Sequence, residues 1–151
     1  MTKLLMVYAS MSGNTEDMAN EMIDGIKELG LEIDVVEAFE ADAEILSSYD
    51  GILIGTYTWG DGELPDELLD FHEEMQELDL TGKKAAVFGS FDWSYGDGGV
   101  AVDIMQKTLQ KLGAEIVQEN LKIELSPTPE DREVCKTFGK TFAEKMMLVK
   151  N

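Results

Sequence analysis

The sequence predicts an α/β protein: a single doubly wound, five-stranded parallel sheet of order 2-1-3-4-5, with helices on both faces. Three observations lead there. Strand-like and helix-like stretches alternate from one end of the chain to the other, the pattern of parallel strands joined by right-handed helical crossovers. Three strand candidates are apolar runs without polar alternation, as strands covered on both faces are. Two more alternate apolar with charged residues, as edge strands do, which places strands two and five outside and one, three and four inside. With 151 residues, 44% of them hydrophobic, the chain has the size of one ordinary domain, 1–151, and no linker divides it.

The elements follow in order. Residues 3–9, from Lys3 to Ala9, form the first buried strand. The first helix carries Met18, Met22, Ile26 and Leu29 at i, i+4, i+8 and i+11. Leu31, Ile33 and Val35, interleaved with Glu32 and Asp34, make the second strand, and a weaker helical piece lies near 42–47. Residues 51–57 are the third strand. Pro65 opens a helix with Leu68, Phe71, Met75 and Leu78 on one stripe. Residues 84–90 are the fourth strand. A third stripe, Ala101, Ile104, Met105, Thr108 and Leu112, stops at Gly113. Leu121, Ile123 and Leu125 alternate with Lys122 and Glu124 in the last strand, within 114–125. Thr128 is the expected N-cap of a final helix. The nine methionines fall mostly on these stripes and read as core.

Composition narrows the function. Twelve basic against 31 acidic residues give a net charge of −19, which repels nucleic acid and anionic membrane surfaces and favours basic protein partners. No apolar stretch approaches the roughly 18–20 residues that span a bilayer, and the N-terminus turns polar too soon for a secretion signal. A soluble, cytoplasmic, monomeric protein is expected. The single cysteine, Cys135, rules out an internal disulfide and reads as core filler, with Val134, Phe138 and Phe142 at helical spacing around it. His72, the single histidine, reads as a partly exposed helix residue. Metal-ligand spacing, a catalytic triad and an activated nucleophile are all missing from the pattern.

In a doubly wound sheet, ligands sit beyond the carboxyl ends of the strands, where the winding reverses. The loop after strand one is Ser10-Met11-Ser12-Gly13-Asn14-Thr15. It offers hydroxyl and amide donors, a glycine for close turning and a helix N-terminus, a set suited to an uncharged phosphate cradle; an ordinary capped loop uses the same residues. The Walker pattern of nucleotide triphosphatases and the dinucleotide fingerprint are absent. The loop after strand three is Thr56-Tyr57-Thr58-Trp59-Gly60-Asp61-Gly62. The loop after strand four runs from Gly89 through Ser90, Phe91, Asp92, Trp93 and Tyr95 to Gly99. Two aromatic loops at one rim are able to sandwich a flat ring, or to pack on each other as a lid.

In order and spacing these three loops resemble the FMN-binding loops of flavodoxins, and the resemblance covers the whole chain. The chain looks like the short form, because the last strand leaves no obvious room for the long form's insertion, and is similar to those of Gram-positive bacteria. The resemblance implies FMN as cofactor and a low-potential one-electron carrier, not an enzyme, cycling between semiquinone and hydroquinone. It implies transient partners with basic faces: an NADPH-dependent reductase as donor and oxidoreductases as acceptors. It implies that Ser10, Ser12, Asn14 and Thr15, with backbone N–H groups around Met11 and Gly13, hold the phosphate, and that Thr58 lies against the ribityl end. Trp59 flanks the ring on its inner side, and Tyr95 stacks outside, with Trp93 the alternative. Ser90, Phe91 and Asp92 meet the pyrimidine edge, and the Gly60-Asp61 carbonyl accepts from the flavin N5. Asp61, Glu63, Asp66, Glu67, Asp92 and Asp97 crowd this ring site. One carboxylate at ~10 Å and an effective dielectric of ~20 opposes added negative charge by roughly 1.7 kcal/mol, about 70 mV for one electron. Two other readings remain: an FMN-dependent NAD(P)H-quinone reductase of flavodoxin-like fold, and a receiver domain, whose paired acids after strand one are replaced here by Ser10-Met11-Ser12.

Overall fold

A computed structural model describes residues 3–10, 13–58, 64–91, 99–124 and 126–147. Its elements alternate as expected: β1 (Leu4–Tyr8), α1 (Asn14–Glu28), β2 (Asp34–Glu37), two short 3-10 turns (Ala38–Glu40 and Ala43–Ser48), β3 (Gly51–Tyr57), α2 (Asp66–Met75), β4 (Lys84–Phe91), α3 (Val100–Lys111), β5 (Glu115–Ile116), β6 (Leu121–Glu124) and α4 (Pro129–Met147). Every strand pair is parallel. The order is β2-β1-β3-β4, with β5 and then β6 against the far side of β4. The predicted order 2-1-3-4-5 is therefore observed, with one change: the fifth strand is broken in two. β5 pairs with the start of β4, at Lys84 and Ala85, and β6 with its end, from Phe88 to Phe91.

The second strand also departs from expectation. The alternation at 31–35 marked it too early; the ladder to β1 runs from Asp34 opposite Leu5 to Glu37 opposite Tyr8. Leu31 and Ile33 pack against the core from the approach to the strand, and Val36 faces it from within. Val35, read as inward, is 40% exposed. Pairing register overrides a local alternation that fits two frames.

The continuous apolar strands work as predicted. Successive side chains leave a strand on opposite faces, so each central strand feeds two cores. Leu5, Val7, Ile52, Ile54, Ala85 and Val87 meet Leu68, Phe71 and Met75 of α2 and Met105 and Leu109 of α3. Leu4, Met6, Leu53, Ala86 and Phe88 meet Met18, Met22 and Ile26 of α1 and Phe142 and Met146 of α4. Of the methionines described, Met147 alone is exposed.

α1 and α4 approach closely. A Cβ on Gly139 would lie 2.3 Å from the Met22 carbonyl oxygen, and one on Gly25 would lie 2.3 Å from that of Lys136. The contact is flanked by ion pairs from Glu28 to Lys136 and Lys140, and from Arg132 to Asp17 and Glu21. Thr128 caps α4 as expected: its hydroxyl accepts from the Asp131 N–H at 3.1 Å, and the Asp131 carboxylate accepts from the Thr128 N–H at 3.0 Å. Cys135 is fully buried beneath this pair, and burial pushes its thiol up to about 12. Phe142 joins it in the core, but Val134, expected beside it, faces solvent at 49% exposure. No described helix is long and apolar enough to cross a membrane.

Candidate functional site

The carboxyl ends of β1, β3 and β4 form one rim. β1 ends at Tyr8, and the Ala9 N–H still donates to the Gly55 carbonyl at 2.9 Å, holding the departing chain beside β3. The chain then turns into α1 through Gly13, whose φ of +91° lies in the left-handed region that glycine enters without strain. Gly13 has no side chain to cap the helix, so the cap comes from upstream: the Ser10 hydroxyl oxygen accepts from the Glu16 N–H at 3.2 Å. Among the described residues, nothing lies within 4 Å of where a Cβ on Gly13 would stand.

Thr15 and Ser90, expected to touch different parts of one ligand, meet each other. Both are buried, and their hydroxyl oxygens lie 2.8 Å apart, tying the first turn of α1 to the end of β4. The β3–β4 register sets Tyr57 opposite Ser90. Just past β3, the Thr58 hydroxyl oxygen accepts from the Ala101 N–H at 3.2 Å, in the first turn of α3. That helix also starts on a left-handed glycine, Gly99, with φ +84°. Phe91 closes β4 beside Glu124 of β6. Asn14 is held from a direction the three-loop reading missed: the Ser126 hydroxyl, after β6, donates to Asn14 Oδ1 at 2.9 Å. The signal for Ser126 was present in the sequence, as a hydroxyl residue before Pro127 at the carboxyl end of the last strand.

One chemical pattern joins these contacts. Ser10 and Thr58 each spend an oxygen lone pair on a backbone N–H of a helix start, so each keeps a hydroxyl proton to donate. Asn14 spends its carbonyl oxygen on Ser126 and keeps its NH2. Two helix N-termini, those of α1 and α3, add partial positive charge. Neutral donors and helix ends fit the phosphate of a mononucleotide cofactor. Met11, Ser12, Trp59, Gly60, Asp61, Asp92, Trp93 and Tyr95, which the sequence also assigns to the site, lie outside the described residues, as do Glu63 and Asp97.

The flank of this rim is acidic. Tyr8 donates to Glu16 at 3.3 Å and lines a cavity of about 280 Å³ with Val35, Val36, Glu37 and Glu40. Burial and the carboxylates of Glu16, Glu37 and Glu40 push its phenol up to about 12. Tyr57 donates to Glu67 at 2.6 Å, and burial and that carboxylate raise its pKa further. Farther off, His72 is half-buried between α2 and α3, its Nε2 2.8 Å from Thr108 Oγ1. Among the described residues no cluster of His, Cys, Asp and Glu is arranged to hold a metal ion.

Comparison with known proteins agrees with this geometry. The flavodoxin family model matches residues 6–139. "Probable flavodoxin 1" of Bacillus subtilis is 52% identical over 143 residues, covering 94% of this chain and 90% of that protein. The flavodoxin of Maridesulfovibrio salexigens is 32% identical over 149 residues, covering 97% and 100%. Among solved structures, oxidised Flavodoxin 1 from Bacillus cereus superimposes with a TM-score of 0.92 at 53% identity, covering 95% of this chain and 98% of that one. Sheet order, the donor-bearing rim and relatives matched over nearly their whole length agree: the chain belongs to the flavodoxin family, short-chain FMN-bound electron carriers that serve redox proteins and are not themselves enzymes.

Proposed function

We propose that residues 1–151 act as one FMN domain that passes single electrons, at low potential, between basic-faced redox proteins met transiently in the cytoplasm. FMN supplies the redox chemistry; the protein binds it, orients it and sets the surrounding charge. The α1 turn supplies the phosphate site. Ser10, Asn14 and Thr58 direct donors to it, and Ser12, Thr15 and the N–H groups of Met11 and Gly13 complete it. The Thr15–Ser90 bond fixes that site against β4, where Ser90, Phe91 and Asp92 present the edge that meets the pyrimidine side of the ring. Trp59 and Tyr95, with Trp93 the alternative, enclose the ring and exclude water from it. The Gly60-Asp61 peptide supplies the acceptor for a proton held at the ring's N5.

Acidic side chains then set the potential and choose the partner. Glu67 and Asp66 open α2 next to Tyr57, and Glu16, Glu37 and Glu40 gather around Tyr8. Negative charge on this rim opposes adding an electron to the ring and steers a positively charged protein face toward it. The relatives matched over nearly the whole chain are named flavodoxins, which favours a carrier over an autonomous NAD(P)H-quinone reductase.

The observation that carries this reading is the set of hydroxyl and amide donors whose acceptor atoms are already spent on the protein. It is tested by stripping the protein of flavin and titrating it with FMN and with riboflavin, which lacks the phosphate. FMN is expected to bind at least ten-fold more tightly, as a few charge-assisted hydrogen bonds require. Equal affinities, or no binding of either, would overturn the phosphate assignment.

A further inference from the structure

On the phosphate-binding reading, Asn14 reaches the phosphate from the first turn of α1, where its side chain needs a partner on the protein side. An asparagine amide is an acceptor at one end and a donor at the other, and its acceptor end would repel a phosphate. The Ser126 hydroxyl donates to Asn14 Oδ1 at 2.9 Å across 112 residues of sequence. With the oxygen held there, the NH2 lies on the opposite side of the amide. We propose that Ser126, in the turn between β6 and α4, is a positioning residue for the cofactor phosphate: it holds the Asn14 side chain at the start of α1, and when the anion accepts from the NH2 the Ser126 proton takes up Oδ1 at the other end.

Three features hold Ser126 in place. Pro127 restricts the backbone of the residue before it. The reciprocal Thr128–Asp131 bonds anchor the start of α4. One turn on, Arg132 lies 3.3 Å from Glu21 and 3.7 Å from Asp17 on α1, locking the start of α4 beside the helix that begins with Asn14. The turn after the last strand thereby becomes a fourth element of a site built from three loops. Its contribution is preorganisation: the Asn14 side chain is held at the site before the ligand arrives.

The inference rests on the phosphate reading above, and one set of titrations separates their failures. Flavin-free wild type, Ser126→Ala, Ser126→Thr, Asn14→Ala and the double variant Ser126→Ala/Asn14→Ala are each titrated with FMN and with riboflavin. Ser126→Ala is expected to weaken FMN about five-fold, the size of one hydrogen bond, and to leave riboflavin affinity unchanged. Ser126→Thr keeps the hydroxyl and is expected to bind FMN within about two-fold of wild type. In the Asn14→Ala background, removing Ser126 is expected to add nothing, because the effect passes through that amide. Unchanged FMN affinity in Ser126→Ala, equal losses for both flavins, or additive losses in the double variant would each overturn the proposal while leaving the phosphate site intact. A wild type that binds FMN no better than riboflavin removes the phosphate site and this proposal with it.

Discussion

Thr15 and Ser90 show how a single contact changes what a residue is for. As sequence, each is a small polar side chain in a ligand loop. In the fold they share one hydrogen bond in a buried place, 75 positions apart. Removing one partner leaves the other buried and unpaired, at a cost of about 1–3 kcal/mol. Thr15→Val, close in shape, is therefore expected to lower stability by that amount in urea unfolding, and adding Ser90→Ala is expected to recover part of it. A double variant as unstable as the sum of the two single ones would remove the bond from the account. Neither change should act on the phosphate alone, which distinguishes this pair from Ser10, Asn14 and Thr58, whose oxygens accept from the protein and leave their N–H and O–H protons to donate.

At the scale of elements, α2 and α3 cover the same face of the sheet and are joined by His72 and Thr108. Burial and the nearby Lys111 charge hold the imidazole below its ordinary 6.5. The unfolded chain therefore takes up this proton first. Above 6.5 both states are neutral and the group contributes nothing; as pH falls through 6.5 toward the folded value, the unfolded state gains protons and stability is lost. The drop in unfolding midpoint between pH 7.5 and 5.5 should be larger for wild type than for His72→Gln, which cannot titrate. Parallel curves would show that the imidazole is not coupled to folding. The sequence placed His72 on a helix but not against Thr108, because which helices become neighbours depends on the order of the strands beneath them. The edge strand is similar: its alternation at 121–124 was legible, whereas the break between Ile116 and Leu121 depends on how β4 runs past it.

For the whole molecule, charge is the dominant feature. A net charge of −19 on 151 residues repels itself, and few cations offset it: Arg132, Lys136 and Lys140 are used between α1 and α4, and Lys84 and Lys122 pair with Glu115 and Asp103. Self-repulsion weakens the compact state and is screened over about 10 Å at 0.1 M salt. Raising KCl from about 0.02 to 0.3 M should therefore raise the unfolding midpoint, while slowing electron delivery to a basic acceptor such as cytochrome c. A midpoint that falls with salt would mean that local ion pairs outweigh the global repulsion.

The sequence by itself determined the fold class, the strand order, the four helices and the strands whose carboxyl ends share one rim. Those signals are local: unbroken apolar runs at 51–57 and 84–90, stripes such as Met18, Met22 and Ile26, and the Thr128 cap can be read within one or two turns of chain. It also located Ser10, Asn14, Thr15, Thr58 and Ser90 at those ends. Only the tertiary structure decided that Thr15 bonds Ser90, that Thr58 caps α3, that Ser126 holds Asn14, and that β2 begins at Asp34. Each of these pairings spans more than 25 residues of chain. Such partners are chosen by strand register and helix placement, and a hydroxyl or an amide carries no mark in the sequence of which distant group will take its hydrogen bond.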